Sequence, residues 1–347
     1  MKEEKKKSKS EREEEAERQE FVLDYTREHT IGYLQRKMPY TYSIFRRVLH
    51  EVKLRMPPDF KPETVLDYGA GLGSGLWAAK HVFAEKVTRI AAVEPNTAMR
   101  KLGKYITEDL NEKSGSNILW VDSLSMIPGI GGAKGKFDMV LLGFVLQEVP
   151  TAKQREILME ALWSRVKEGG VLVLLEPGSP KGYRFVMSFR DWIIKKDRTE
   201  ATLVAPCPHH KACPMAANPE RWCHFSQLTQ KLPGAVFPKL PKEPELANEK
   251  FSYIVAKKGP GPAVSDPAAA SYTWPRIILP VIKKHRHSII DLCGTQGALE
   301  RRIIARSHGL EGGYKKVKKV RWGDLWYFEK RIPHKFRKET KFGRRLW

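Results

Sequence analysis

Long apolar runs are missing from this sequence. No stretch of its 347 residues approaches the roughly 20 needed to span a bilayer, and no secretory apolar segment is present. No membrane partner is therefore expected. An acid-poor leader is missing too. The chain opens Met1-Lys2-Glu3-Glu4-Lys5 and continues Glu11-Arg12-Glu13-Glu14-Glu15, which reads as a charged arm. Cysteine is scarce, with four in all. In so large a chain this favours metal or redox chemistry over a disulfide framework. Charge balance is also absent. The formal net charge of +22 points to a polyanionic partner, nucleic acid above all.

What is present supports a core, with 41% hydrophobic residues. After the arm, Phe21–Met56 has a helical stripe of Leu34, Met38, Tyr42, Phe45, Leu49 and Val52. Pro39 is expected to divide it into two helices. From Thr64 short apolar strands alternate with helices. Strands are predicted at Thr64–Tyr68, Arg89–Val93, Asn117–Val121, Phe137–Phe144 and Val171–Leu175. Helices are predicted from Leu76 to Phe83 and from Thr151 to Val166. This alternation indicates an α/β fold with a parallel sheet covered on both faces. Residues 184–250 break the rhythm with three cysteines, many prolines and several histidines, and read as an insertion. Phe251–Lys258 returns to strand character and completes the sheet. Beyond a Gly/Pro linker, strands are expected at Arg276–Ile282, Ser288–Cys293, Leu299–Arg306 and Val317–Phe328. The expected organisation is a lead-in at 1–60, a main domain at 61–260 and a basic β-rich extension at 261–347.

The main domain is arranged around Asp67-Tyr68-Gly69-Ala70-Gly71-Leu72-Gly73-Ser74-Gly75. A buried strand turns here into a helix, at the point where open α/β sheets bind nucleotide-like ligands. The alternate glycines do not fit G-x-G-x-x-G, because Ser74 stands where the third glycine is wanted. Glu94, at the end of the second strand, can accept hydrogen bonds from two ribose hydroxyls. Asp122, after the third strand, can reach an adenine amino group, and Asp67 can orient the ligand's amino end. These positions resemble the class I S-adenosylmethionine-dependent methyltransferases over about residues 61–180. The resemblance makes Asp67, Gly69, Gly71, Gly73, Glu94 and Asp122 the expected binding residues for S-adenosyl-L-methionine, on a Rossmann-type sheet. The Asp/Asn-Pro-Pro-aromatic motif of nucleic-acid amino-methyltransferases is absent. Leu142-Gly143-Phe144-Val145-Leu146-Gln147-Glu148 stands in its place. No catalytic residue is assigned. Glu148 is a candidate base, set against a solvated helix position. Methyl transfer can also proceed by proximity and orientation alone.

Cys207, Cys213 and Cys223 follow C-x5-C-x9-C, and Cys293 comes 70 positions later. Four thiolates can hold zinc or ligate an iron–sulfur cluster. The absence of a close C-x2–4-C pair, together with the Cys-Pro dipeptides, suits a cluster better. His209, His210 and His224 are alternative ligands or neighbours. The basic run Lys315-Lys316-Val317-Lys318-Lys319 is followed by Lys330, Arg331, Arg344 and Arg345, with Trp326, Tyr327, Phe336 and Trp347 interleaved. Cations engage phosphates and aromatics stack on unpaired bases.

The combination of Arg36-Lys37-Met38-Pro39-Tyr40-Thr41-Tyr42, the glycine loop, the cysteine run and the late Asp291-Leu292-Cys293 resembles the methyltransferase-like small-ribosomal-subunit family of mitochondria. The likeness covers roughly residues 30–330. It implies a mitochondrial location, a four-cysteine iron–sulfur site (4Fe-4S) on Cys207, Cys213, Cys223 and Cys293, and partners in small-subunit ribosomal RNA and ribosomal proteins. It implies an assembly or structural factor that keeps the methyltransferase fold. The alternative is an active S-adenosylmethionine-dependent rRNA methyltransferase.

Overall fold

The computed structural model describes residues 26–327 apart from 111–114, 130–134, 197–198, 219, 231–245, 263–268 and 309–312. The charged arm and the end of the basic run, from residue 328 on, lie outside the described residues.

Two helices lead in. Helix α1 is Arg27–Arg36, with Thr26 Oγ1 accepting from His29 N at its start. Helix α2 is Met38–Arg55. Pro39 does divide the two, and it sits in the first turn of α2, where a missing N–H costs nothing. Ile44, Phe45, Val48, Leu49 and Val52 form the buried face of α2.

The main sheet begins with strands β1 (Thr64–Tyr68), β2 (Arg89–Val93) and β3 (Asn117–Val121), each spanning the residues its apolar run predicts. Helix α3 (Ser74–Phe83) follows β1, and helix α4 (Thr97–Ile106) follows β2. Strand β4 is Phe137–Gly143. Helix α5 (Ala152–Ser164) is opened by a reciprocal capping box between Thr151 and Gln154. Strand β5 (Val166–Pro177) and helix α6 (Pro180–Ile194) complete the regular part.

The segment read as an insertion instead supplies sheet strands. Strand β6 is Ala201–Ala205, β7 is Phe225–Gln230, and β8 runs from Leu246 to Lys258. All five residues of β6 are buried. Its proline- and cysteine-rich neighbour masked that apolar run in the sequence. The strand order is β3-β2-β1-β4-β5-β8-β6, with β7 also on β8. Strands β1 to β5 pair in parallel, and β8 runs antiparallel to β5, β6 and β7. The order reverses between β1 and β4, so a crevice opens beyond their carboxyl ends. This is a mixed α/β fold with a parallel-dominated central sheet, as the alternation of strands and helices implied. One face is packed by α2 and α3 through Val48, Leu76, Met139 and Val173. The other is packed by α5 and α6 through Leu142, Leu162, Leu174 and Phe189.

The C-terminal part forms a second, antiparallel sheet from β9 (Arg276–Ile277), β10 (Ile282–Lys283), β11 (His287–Cys293) and β12 (Leu299–Ala305). The single strand expected over Arg276–Ile282 is split in two, with Pro280 between the halves. The strand expected over Val317–Phe328 is not formed in its described part. Helix α7 (Gly313–Val317) is followed by turns, and Trp326 packs with Ile277, Ile290 and Val317. Apolar residues interrupted by lysines were being spent on a small core, not on a pleat. The C-terminal part is tied to α2: Arg47 donates to Trp322 O at 3.0 Å, and Arg276 pairs with Glu51. Among the described residues no helix is long and apolar enough to cross a membrane.

Candidate functional site

At the end of β1 the backbone folds back on itself. Gly69 N and Ala70 N donate to Val93 O at 2.8 and 3.0 Å, and Gly73 N donates to Ala70 O at 2.7 Å. Gly69, Gly71 and Gly73 take φ of +69°, +55° and +87°. That left-handed region favours glycine. At Gly69 a side chain would also collide with Val145. At Gly71 the nearest atom to an added Cβ is Met99 Cε at 3.5 Å, so conformation alone demands glycine there.

Glu94 is fixed against this loop. Its Oε2 accepts from Gly71 N and its Oε1 from Asn96 N, both at 2.9 Å. Burial raises its carboxyl above the usual range, and the two backbone donors oppose that rise. Asp67 lies behind the loop. A Cβ on Gly75 would stand 2.5 Å from its Oδ2, which has no hydrogen-bond partner. Burial, and then the charge of Glu94, push the Asp67 carboxyl up to about 8.

A cleft of about 1540 Å³ opens above the loop. Tyr68, Gly69, Gly71 and Glu94 form its floor, while Phe144 and Glu148 line its wall. Tyr33 and Lys37, from α1 and the turn after it, line it from the lead-in side. Lys37 reaches Glu249 of β8 at 3.8 Å. Of the residues expected to bind a ligand, Gly69, Gly71 and Glu94 thus meet at one surface. Asp67 and Gly73 support them from behind. Asp122 is exposed after β3 and is not among the residues lining the cleft.

Two features were missed in the sequence. The first is the contribution of the lead-in helices, which a sequence window cannot place against a distant loop. The second is the setting of Glu148, a candidate base in the sequence set against a solvated helix position: it lies in a turn at the cleft wall and not on a helix. Burial within the cleft wall, and then the charge of Glu94, raise its carboxyl to about 7. Behind it, Glu176 accepts from Leu146 N at 2.9 Å, and burial raises it to about 8. Phe144, between these elements, has φ +63° and donates its N–H to Leu175 O at 2.8 Å.

The four cysteines come from separate elements and line one cavity of about 30 Å³. Cys207 follows β6, Cys213 lies in the connecting loop, Cys223 precedes β7 and Cys293 ends β11. All four are free thiols. Arg190 Nε donates to Cys207 Sγ at 3.3 Å, Tyr183 Oη lies 3.4 Å from Cys213 Sγ, and His209 Nε2 lies 3.3 Å from Cys293 Sγ. Burial raises the thiols of Cys207, Cys223 and Cys293. Mutual repulsion adds to this at Cys223 and Cys293, while Arg190 opposes it at Cys207. Among the described residues no three His, Cys, Asp or Glu side chains are grouped so as to hold a metal ion. Of the three candidate histidines, His209 has its ring against a thiol. His210 accepts from Leu203 N at 3.0 Å, and His224 stacks on Trp222 at 5.5 Å.

The family described as "Mitochondrial small ribosomal subunit Rsm22" matches residues 27–327. Human "Ribosome assembly protein METTL17, mitochondrial" is 31% identical over 310 residues, covering 87% of this chain and 63% of that protein. "Rsm22-cox11 tandem protein 2, mitochondrial" of Schizosaccharomyces pombe is 27% identical, covering 90% of this chain and 45% of that protein. The chain therefore spans about half to two thirds of the length of these relatives. Among solved structures, precorrin-6y C5,15-methyltransferase from Geobacter metallireducens matches with a TM-score of 0.37 and 18% identity, covering 61% of this chain and 88% of that one.

Proposed function

Since the chain belongs to the mitochondrial small ribosomal subunit Rsm22 family, we propose that it is a mitochondrial assembly or structural factor of the small ribosomal subunit that binds ribosomal RNA. The observation that carries this is the extent of the family match. It takes in the glycine-loop cleft, the cysteine cavity and the C-terminal sheet together. Crosslinking the protein to RNA in mitochondrial extracts tests the reading. Recovery of small-subunit RNA and its proteins is expected, and recovery of large-subunit RNA alone overturns it.

In this reading the cleft holds S-adenosyl-L-methionine. Glu94 accepts from the ribose hydroxyls while keeping its bonds to Gly71 and Asn96, because each carboxylate oxygen has a second lone pair. The positive-φ glycines let the ligand approach the backbone. The cysteine cavity holds an iron–sulfur cluster, 4Fe-4S. Four thiols around one cavity supply the donor set, and the buried Arg190 supplies positive charge opposite it. When bound, the cluster links a loop of the main sheet to β11 of the second one, so its binding adds to folding stability.

A second reading, active transfer of a methyl group to rRNA, draws support from Glu148. A carboxyl raised to about 7 at the cleft wall suits a general base near neutral pH. Labelled methyl donor incubated with small-subunit RNA separates the two readings. Stoichiometric transfer lost in Glu148→Gln establishes catalysis, and no transfer in the presence of bound donor leaves the assembly role alone.

A further inference from the structure

We propose that Arg190 is a positioning residue of the cysteine site, fixing the turn that carries Cys207 and supplying the positive charge that an anionic, sulfur-ligated group requires. This rests on the cluster reading above. Arg190 lies on α6 and is 1% exposed. Its Nη2 donates to His209 O at 3.2 Å and to Lys211 O at 2.6 Å, and its Nε donates to Cys207 Sγ at 3.3 Å. One guanidinium therefore holds both the backbone just beyond Cys207 and the sulfur itself.

Its ion pair with a carboxylate, Asp191, is long, at 3.8 Å, and lies half in water. Nη1 has no hydrogen-bond partner. A buried cation is tolerated only where an anion or a full set of acceptors meets it. The other buried arginine at the cavity, Arg276, is already met by Glu51 and by the carbonyls of Pro206 and Gly323. Cys207 Sγ, 3.3 Å from Nε, is the anion-forming group that meets it inside the protein. Tyr183 and His209 bring further polar contacts to Cys213 and Cys293. Outer groups of this kind orient metal-ligating side chains and tune the bound metal.

The test uses the full chain, reconstituted without oxygen from ferrous iron and sulfide. Iron retention is read against a chelator and the reduction midpoint by potentiometric titration. Arg190→Gln is expected to weaken iron retention by about 10- to 100-fold. It is also expected to shift the midpoint to more negative potential, because reduction adds an electron where a positive charge has been removed. Arg190→Lys, which keeps the charge and loses the clamp, is expected to keep the midpoint and lose retention. An Arg190→Gln protein with the wild-type midpoint overturns the proposal. If that variant does not fold, wild-type retention in Arg190→Lys overturns it instead. A wild-type protein that takes up neither iron nor sulfide overturns the cluster reading and this role together, before any variant is made.

Discussion

Asp67 and Glu94 stand at the ends of neighbouring strands, yet one faces the cleft and the other does not. Glu94 accepts two backbone N–H groups and lines the floor. Removing its charge with Glu94→Gln is expected to cost about 1–3 kcal/mol of donor binding, measured by calorimetry with S-adenosyl-L-methionine. Asp67 is buried with its carboxyl raised from 3.8 to about 8. A folded carboxyl raised this far binds its proton more tightly than the unfolded chain does. Its contribution to stability is full below about pH 4, falls as the unfolded form ionises, and is gone once pH passes about 8. Thermal melts should therefore fall between pH 5 and pH 8, and Asp67→Asn should flatten that slope. An unchanged slope would remove Asp67 as its source. The acidic ends of β1 and β2 were legible because strand ends are local features. The solvent exposure of Asp122 and the cleft position of Glu148 were not, because each depends on where the next segment turns.

At the scale of elements, the glycine loop is matched to the turn after β4. Gly69 has positive φ and faces Val145. Gly69→Ala is expected to destabilise the protein by more than the ~1–2 kcal/mol of left-handed strain alone. Adding Val145→Ala should recover the steric part and leave the strain. Urea unfolding of the two single variants and the double measures this coupling, and strictly additive effects would contradict it. The spans of β1, β2 and β3 were readable to the residue because short apolar runs flanked by polar residues mark parallel strands, even at β3, the half-exposed edge strand. Strand β6 was hidden because Pro206 and Cys207 follow it directly and draw the eye to a loop. The 317–327 stretch misled because its apolar residues, such as Val317 and Trp326, serve a packed corner and, among the described residues, pair with a strand only through an isolated bridge between Arg276 and Leu325.

Across the whole molecule, one buried ion network fastens the parts together. Arg276 of the second sheet pairs with Glu51 of α2, Tyr253 of β8 donates to Glu51 Oε2 at 2.6 Å, and Arg55 donates to Ser271 O at 3.2 Å. Burial opposes the Glu51 charge, but Arg276 and Arg55 outweigh it and hold the carboxyl below its usual range. Arg276→Met leaves that carboxylate buried beside Arg55 alone. It should cost about 3–5 kcal/mol, read as a lower urea midpoint at constant m-value. This network joins residues more than 200 positions apart, so no local pattern announced it. The four cysteines were legible as a set by composition. That they line one cavity is a property of the closed fold.

The sheet order also carries a consequence in time. Among the described residues strand β6 pairs with β8 alone, which the chain reaches 41 residues after β6 ends at Ala205. During synthesis β1 to β5 can assemble while β6 waits without a neighbour, and Cys293 emerges later still. Until β8 is made, the buried apolar strand β6 lacks its sheet partner, and Cys207, Cys213 and Cys223 lack the cavity wall that Cys293 supplies, a state prone to wrong association.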